Sequence, residues 1–496
     1  MAAVFDLDAN VGELGDAPRF RLLSNEKLAR LHEASLRILG EVGVRVTTQE
    51  AIELLEGAGC PVQGDVVRIP GAVVEEAITS APDQIVVYDR TGREALLLGG
   101  KNVHFGLGIT GINFLDPETG AERDFTLDDF AVCCRVADAL PNTDLIGTPG
   151  VLRPTPEMPQ EICNQYEFAA MVTSTTKPLT VLVENGDILR DVFAMAAVAA
   201  GGEAALRERP FIIPYLNCVS PLIYNAETLD KLLLSAEWGI PVLCIPSGQC
   251  GATGPVTLAG SIALSNAETL AGLVIHQVKR PGAPFITGSD PAIMDMKTAN
   301  IAYASPEASL LLMGAAELAH YYGLPVTGLS ISSESKRPDQ QTALEQAIGA
   351  YSCLLSGVNL MPYMGFLESG LIFSLETLVS ADEIVGLLRR IFRGVPVDDG
   401  TLALDVIRSV GIGGHFLGEA HTLTRFRSEH WQPTVLTRET HHTWETRGSK
   451  VMGDRVKEKL REIIATHEPE PLPGEVEARI YRLIDERKKS LETVHA

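Results

Sequence analysis

The chain has 496 residues and a formal net charge of −23 at pH 7. This length allows more than one structural unit, and 45% apolar with 21% charged residues is typical of a folded globular protein. The negative charge argues against nucleic acid as a ligand, because its phosphates would be repelled. The sequence has no apolar run of about 18 residues free of charges, so it predicts no membrane span.

The cysteines and the N-terminus bear on the cellular compartment. The eight cysteines are scattered, and none has a CxxC or other zinc-type spacing. The first residues, MAAVFDLDANVGELGD, lack the basic segment and apolar core of a signal peptide. Reduced, mostly buried thiols in a cytoplasmic protein are therefore expected.

Residues 1–100 are predicted to form a small mixed α/β extension. The segment NEKLARLHEASLRILGEVG predicts a helix, with Asn25 as its cap and Gly43 as its end. Shorter helices are predicted in TTQEAIELLEGAG and GAVVEEAITSA, and strands in GDVVRIP and QIVVYDR.

Residues 101–400 alternate short apolar runs with helical patterns, which is typical of βα units and a parallel sheet. Eight such pairs predict a closed (β/α)8 barrel, and an open doubly wound sheet is the alternative. The candidate strands are NVHFGLG, TDLIGTP, KPLTVLVEN, PFIIPYLNC, IPVLCIPSG, APFITGS, LPVTGLSIS and VNLMPYMGF. The helices between them are predicted to begin near Leu127, Pro156, Asp187, Ala226, Val256, Pro306, Asp339 and Ser374.

The first of these strands carries the spacing of a dinucleotide-binding loop. Gly106, Gly108 and Gly111 give GxGxxG within HFGLGITG. The chain then continues as INFLDPETG, which indicates strand and turn, whereas a phosphate-binding loop opens a helix. The spacing is therefore weak support for a cofactor loop.

Residues 401–496 are predicted to form a C-terminal, mainly helical extension. A polar segment, GIGGHFLGEAHTLTRFRSEHWQP, precedes two charged helical patterns, VKEKLREIIATH and VEARIYRLIDERKKSLE. Ile480, Leu483 and Ile484 lie on one face of the last helix. This helix is expected to pack on the barrel or on another subunit, and the amphipathic pattern favours a homo-oligomer.

In (β/α)8 barrels the active site lies at the carboxyl ends of the strands. Here these ends are rich in aromatic, amide and carboxylate side chains, and the sequence has no GxSxG, HExxH or P-loop motif. Aromatic faces with one or two carboxylates suit a quaternary ammonium ligand, which they attract by roughly 0.5–2 kcal/mol per cation–π contact. Side chains at these ends include Phe105, Glu184, Tyr215, Asn217, Ser247, Gln249, Ser289, Asp290, Lys336, Asp339, Gln341, Tyr363, Phe366 and Glu368.

Several candidates have alternative interpretations. Tyr215 and Tyr363 could be barrel-core residues, and Asp339 could serve only as a helix N-cap. Lys336 could form a Schiff base, as lysines at barrel strand ends do, or could be a solvated loop residue. His415 and His421 lie six residues apart in a glycine-rich segment and are a candidate metal pair.

Six stretches of the chain together carry a resemblance to a known family. They lie within residues 20–470 and read LSNEKLARLHEASLRILGEVGVRV, FLDPETGAERDFTLDDF, GPVTLAGSIALSNAETLAG, SKRPDQQTALEQ, GVNLMPYMGFLESGLIFSLE and GGHFLGEAHTLTRF. In these stretches the chain resembles the trimethylamine methyltransferase family, in its branch without pyrrolysine.

The resemblance implies a (β/α)8 barrel that moves a methyl group from a methylated amine to the cobalt of a separate corrinoid protein. Pyrrolysine is absent from the sequence, and its equivalent position is expected at the end of the seventh or eighth strand. A tertiary amine would have to leave as an amide anion, whereas a quaternary amine leaves as a neutral tertiary amine. The expected donor is therefore a quaternary amine, such as glycine betaine, carnitine or proline betaine, displaced directly by Co(I).

The corrinoid is expected on a partner protein, because the sequence lacks the DxHxxG motif that supplies a histidine to cobalt. No metal is expected on this chain. The expected cage walls are Phe105, Tyr215, Tyr363 and Phe366, with Glu184 or Glu368 adding a negative field. The other predicted substrate-binding residues, which include the expected contacts to a betaine carboxylate, are Asn217, Lys336, Asp339, Gln341, His415 and His421.

Two other functions stay open at this level. One is a Schiff-base lyase or aldolase that uses Lys336, which borohydride trapping with a carbonyl substrate would reveal. The other is a betaine-binding protein without catalysis, which would bind the ligand and release it unchanged.

Overall fold

The computed structural model describes residues 20–290, 292–329 and 331–495. Eight parallel strands within them form a closed barrel, which confirms the predicted (β/α)8 fold. Each strand pairs with the next one along the chain, and the eighth pairs with the first. The strands are β1 His104–Leu107, β2 Leu145–Gly147, β3 Leu179–Val181, β4 Ile212–Cys218, β5 Val242–Pro246, β6 Phe285–Ser289, β7 Val326–Gly328 and β8 Leu360–Met364.

Eight helices alternate with these strands, and each begins within a few residues of its predicted start. Gly239, Gly323 and Gly357 end three of them in the left-handed conformation, with φ of 72°, 71° and 70°, as expected for a glycine that stops a helix. The helices are α1 Leu127–Ala139, α2 Gln160–Thr173, α3 Gly186–Ala200, α4 Ala226–Trp238, α5 Leu258–Lys279, α6 Pro306–Tyr322, α7 Gln340–Ser356 and α8 Leu375–Phe392. A short helix, Glu203–Glu208, follows α3.

Helix α5 is long and apolar enough to cross a membrane, as judged by length and composition within the described residues. It is nevertheless a barrel helix that packs on β5 and β6. Glu268 and His276 are buried along it. An apolar helix of this kind is also what the core of a large protein contains.

The first helix in the described part of the N-terminal extension is Asn25–Arg37. Its cap is Ser24, whose Oγ accepts a hydrogen bond from the Lys27 amide. The predicted cap at Asn25 is therefore wrong by one residue, because Asn25 is already helical. A π-helical turn, Ile38–Val42, follows, and Gly43 ends it with φ of 83°. The other elements are the helices Gln49–Gly57 and Gly71–Ser80 and the strands Val44–Val46, Val62–Gln63, Val66–Val67, Ile85–Tyr88 and Glu94–Leu98.

This extension is joined to the barrel by a shared sheet. Val44–Val46 pairs in parallel with Ile223–Tyr224, a strand in the connection from β4 to α4. The boundary predicted near residue 100 stays a prediction.

Two further small sheets lie in the connections at the carboxyl ends of the barrel strands, the face called the mouth below. One contains Asn113–Leu115, Glu122–Arg123, Phe366–Leu367 and Ile372–Ser374, and the other contains Gln249–Cys250, Ala292–Met294 and Ile301–Ala302. Strand Asn113–Leu115 follows the GxGxxG spacing where a cofactor loop would need a helix. A Cβ at Gly108 would lie 2.2 Å from Cε2 of Phe366, so packing explains this glycine.

The C-terminal extension is mainly helical, as predicted. Its last helix buries Ile480 and Ile484 and packs on α2 and α3 of the same chain. The helix therefore packs on the barrel, which was one of the two expected positions. The helices of this extension are Asp399–Leu402, Leu404–Val410, Ala420–Glu429, His441–Thr446, Met452–Thr466 and Gly474–His495.

We expect Ile480→Ala to lower the free energy of unfolding by about 2–4 kcal/mol, because it leaves a cavity between the last helix and the barrel. Urea unfolding followed by circular dichroism measures this change. Glu486→Ala, at an exposed position of the same helix, is the matched control and should change it by less than about 0.5 kcal/mol. Equal effects of the two substitutions would contradict the described packing.

Candidate active site at the mouth of the barrel

A buried carboxyl group stands at the mouth, directly after β6. The side chain of Asp290 is only 5% exposed. Its Oδ2 accepts hydrogen bonds from the Tyr303 hydroxyl at 3.0 Å and from Ser247 Oγ at 3.3 Å. Its Oδ1 is buried and has no hydrogen-bond partner among the described residues. Since buried polar atoms are normally paired, this oxygen is available to a ligand.

Burial raises the pKa of Asp290 to about 7, although the hydrogen bonds from Tyr303 and Ser247 lower it. A carboxyl group with this pKa is half ionised near neutral pH. A cation placed beside it would favour the ionised form. Binding of a cation beside this group would therefore be coupled to release of the proton from its protonated fraction.

Three tyrosines surround this carboxyl group. Burial raises the pKa of Tyr215, Tyr303 and Tyr363, and the nearby Asp290 carboxylate raises each of them further. The hydroxyls are therefore neutral at ordinary pH. The rings of Tyr303 and Tyr363 meet edge to face, with their centroids 6.1 Å apart. Asp290 and the three tyrosines are called the tyrosine ring below.

Tyr363 is held in this ring from two sides. Phe366 stacks on it with a centroid distance of 4.8 Å and an interplanar angle of 14°. The 3-10 turn Glu368–Gly370 passes over its hydroxyl so closely that a Cβ at Gly370 would lie 2.2 Å away. Phe366 is fully buried, so it supports the ring and does not form its inner surface.

The same turn is anchored by Glu334, which follows β7. Its Oε1 accepts a hydrogen bond from the Ala304 amide at 3.0 Å, and its Oε2 accepts one from the Ser369 hydroxyl. Glu368 and Ser369 have left-handed backbones, with φ of 47° and 53°, which is costly for residues other than glycine. Glu334 thus connects the loops that carry Tyr303 and that cover Tyr363.

Asn217 and Ser247 orient the polar side of the ring. The Asn217 side-chain amide donates to Ser247 Oγ at 2.7 Å and lies 3.2 Å from the Tyr215 hydroxyl oxygen. Because Ser247 accepts this bond, its own proton is directed to Asp290. The hydrogen bonds therefore run from Asn217 to Ser247 and from Ser247 to Asp290, which is the final acceptor.

A cavity of about 320 Å³ adjoins the ring beside Tyr215 and Asn217, above the ends of β2, β3 and β4. Glu167, Glu184 and Lys231 are among its lining residues. Burial raises the pKa of Glu167 to about 7. Burial also lowers the pKa of Lys231, whose Nζ donates to the Val183 carbonyl at 2.8 Å. The charged groups of ring and cavity are thus mainly carboxylates, which suits a cationic ligand.

Three predicted site residues lie outside the ring. Phe105 is fully buried near the amino end of β1, where its amide donates to Asp144, the residue before β2. The Arg389 guanidinium of α8 lies 5.7 Å from its ring centroid, so the ring faces the helices at the end opposite to the mouth, and the predicted position at a carboxyl strand end is wrong. Glu184 is exposed at the cavity edge and accepts a hydrogen bond from Gln160. Glu368 is half-buried in the left-handed turn.

The residues predicted after β7 brace the loop. Asp339 caps α7 by accepting a hydrogen bond from the Thr342 amide at 3.1 Å. Lys336 Nζ donates to the Glu334 carbonyl at 2.7 Å, and Gln341 donates to Glu345 at 3.0 Å. All three predicted side chains are exposed.

The two histidines lie outside this region. His415 is exposed and His421 is half-buried, both in the segment after α8. No group of three metal-ligating side chains is found among the described residues. The structure brings neither histidine to the tyrosine ring in any hydrogen bond or ring contact that it describes for them.

The predicted residues that the structure does bring together are Tyr215, Asn217, Tyr363 and Phe366. Asp290 and Ser247 were visible as strand-end residues but had been given no role. Tyr303 and Glu334 lie in connections without periodic patterns, so sequence reasoning missed them. Both are polar residues in loops that follow strand ends, and this position is the one signal in the sequence that points to them.

Residues 9–492 match the trimethylamine methyltransferase (MTTB) family. The chain is 34% identical over 469 residues to trimethylamine methyltransferase MttB of Desulfitobacterium hafniense, an alignment that covers 93% of each chain. It is 30% identical over 475 residues to glycine betaine methyltransferase of Desulfitobacterium hafniense strain Y51, covering 96% of this chain and 98% of the relative.

A solved structure agrees with the fold. The crystal structure of the Methanosarcina barkeri monomethylamine methyltransferase (MtmB) is similar with a TM-score of 0.50 and 11% identity, covering 92% of this chain and 94% of that one. At this identity the likeness concerns the fold alone. Because the family match extends over nearly the whole sequence, the chain belongs to the trimethylamine methyltransferase family.

Proposed function

We propose that this chain transfers a methyl group from a quaternary amine to the cobalt of a corrinoid carried by a separate protein. The observation that carries the proposal is the tyrosine ring, in which a buried carboxylate with one unpaired oxygen lies among three tyrosines. A quaternary ammonium ion is attracted by both components. The relatives named as trimethylamine and glycine betaine methyltransferases make a methylated amine the expected donor.

The reaction balances without a proton. The bond between nitrogen and the methyl carbon breaks, and its electron pair stays on nitrogen, which leaves as a neutral tertiary amine. The new bond to the methyl carbon uses the electron pair of Co(I). The chain's own residues therefore need to bind, orient and desolvate the cation, and a general acid is not required.

The residues have separate roles in this scheme. Asp290 provides the counter-charge, Tyr215, Tyr303 and Tyr363 provide aromatic surface, and the adjoining cavity receives the rest of the donor. Among the residues that line this cavity, Lys231 carries the cationic group that would bind the carboxylate of a betaine. The partner protein must approach the mouth, because the methyl group has to be reached from there.

One observation favours a second donor. The unpaired Oδ1 of Asp290 can accept a hydrogen bond, which a protonated tertiary amine could donate and a quaternary amine could not. A protonated tertiary amine would leave as a neutral secondary amine. Trimethylamine therefore belongs in the substrate screen beside the quaternary amines.

We expect tetramethylammonium to bind to the purified chain, with a weaker affinity in ring variants. Asp290→Asn should weaken binding at least about tenfold through loss of the counter-charge. Tyr303→Ala and Tyr363→Ala should each weaken it about 2- to 30-fold. Titration calorimetry measures this, and Lys336→Ala, at an exposed position, is the control. Unchanged binding by the Asp290→Asn variant would show that the Asp290 carboxylate does not take part in cation binding.

The same binding should depend on pH through Asp290. A permanent cation binds to the ionised carboxylate, whose pKa in the empty site is about 7. The affinity should therefore rise about tenfold per pH unit below pH 7 and level off above it. Asp290→Asn should lose most of this slope, whereas Glu167→Gln, which removes the cavity carboxyl group with a pKa of about 7, should keep most of it. A flat wild-type profile would contradict the raised pKa.

The reaction itself is tested with cob(I)alamin as methyl acceptor and a panel containing glycine betaine, carnitine, proline betaine and trimethylamine. Formation of methylcobalamin together with the demethylated amine is the expected result for at least one quaternary amine. Lys336→Ala should keep the wild-type rate, and borohydride should trap no carbonyl adduct on Lys336. Methyl transfer from trimethylamine alone would show that the donor is a tertiary amine. Binding of an amine without methyl transfer would show that the chain is a binding protein and not a methyltransferase.

A further inference from the structure

Residues 395–430 form an arm that contributes nothing to the core of its own chain. The arm leaves the barrel after α8 and contains the helices Asp399–Leu402, Leu404–Val410 and Ala420–Glu429. No residue of the arm is buried. Helices this short are marginal in water without packing, which favours a covering surface outside the described residues.

The arm is closed at its base. Arg390 Nε donates to the Glu429 carbonyl at 2.9 Å, and Arg393 donates to the Ser428 carbonyl at 2.7 Å. Both ends of the arm are therefore fixed to the end of α8. After the arm the chain re-enters the core at Val435, which is fully buried.

The arm and its base are rich in exposed apolar side chains. Of the 25 large apolar residues that are exposed in the described part of the chain, ten fall between Ile391 and Leu423. They are Ile391, Val395, Val397, Leu402, Leu404, Ile407, Ile412, Phe416, Leu417 and Leu423. Such a concentration marks an interaction surface, because isolated proteins rarely expose large apolar patches.

A second apolar surface lies beside the base of the arm. Leu344, Ile348 and Tyr351 form an exposed stripe on α7 at helical spacing. The ring of Tyr351 meets that of Phe392, the last residue of α8, with centroids 5.8 Å apart. One chain thus carries both an apolar arm and an apolar receptor, as a self-complementary interface requires.

We propose that the arm packs on a second copy of this chain, with the α7 stripe as part of the receiving surface. Two observations favour a copy over the corrinoid protein. The arm starts at the end of α8, and barrel helices end on the face opposite to the mouth, where a corrinoid would not act. The arm also has 36 residues, whereas a standard interface uses roughly 20–30 residues on each side. Its richness in apolar groups is typical of the interfaces of permanent homodimers.

Sedimentation of the full chain at micromolar concentration tests the proposal. We expect a dimer or a larger closed assembly. The double substitution Ile412→Asp with Leu417→Asp should raise the concentration of half-dissociation at least about tenfold. Val42→Asp is the control, because Val42 is 59% exposed and lies outside both surfaces. Unchanged tetramethylammonium binding would show that the arm variant keeps its barrel.

A second measurement does not depend on dissociation. All eight cysteines are buried, so Ile412→Cys provides one accessible thiol for a nitroxide label. Dipolar coupling between labels is expected, and mixing with excess unlabelled chain should remove it. A wild-type monomer would overturn the proposal; arm amides protected from exchange in that monomer would place another part of the same chain on the arm. Loss of corrinoid-protein binding by the arm variant, with an unchanged assembly, would overturn it as well.

Discussion

Closure of the barrel is the constraint on which the candidate site depends. The tyrosine ring takes Tyr215 from β4, Tyr363 from β8 and Asp290 from the end of β6, positions that are far apart in the sequence. They meet only because the eighth strand pairs with the first and so brings all carboxyl ends to one rim. Loss of that pairing would separate the ring members even if every helix still formed. The site is therefore a property of the closed sheet and not of any local segment.

Around this rim the chain divides its tasks by position. Loops at the mouth carry the polar and aromatic groups, and Glu334 joins two of these loops. The outer layer stabilises the fold, because the last helix packs on α2 and α3. The opposite end of the barrel carries the arm. The proposed binding site and the proposed association surface are thus separate from each other, so substitutions in one are expected to leave the other intact.

The fold could be predicted from the sequence because its signals are local and repeated. Apolar runs of strand length recur eight times, and glycine stops such as Gly239 and Gly323 separate several of the helices from the next strand, so a count of the runs gives the barrel. Side-chain direction could not be predicted in the same way. Phe105 lies in a strand that is buried on both faces, so alternation does not show which way its ring points. Lys336 and Gln341 were placed correctly after β7, but nothing in their spacing shows that they face solvent.

The site was predicted in part for a related reason. Tyr215, Asn217 and Tyr363 lie on strands, where position alone brings them to the rim. Tyr303 lies in the long connection between β6 and α6, and only tertiary contacts bring it to Asp290. The importance of Asp290 itself depends on burial and on a missing partner, which are three-dimensional properties.

The unpaired Oδ1 of Asp290 has a consequence for molecular selectivity. A buried acceptor without a partner raises the free energy of the empty protein by about 1–3 kcal/mol. A ligand recovers that energy only if it brings positive charge or a donor. An uncharged isostere, with carbon in place of the ammonium nitrogen, would fill the same volume against the same rings and leave the penalty in place. The pocket is therefore expected to discriminate by charge between molecules of equal shape, in addition to the preference of its aromatic faces for a cation.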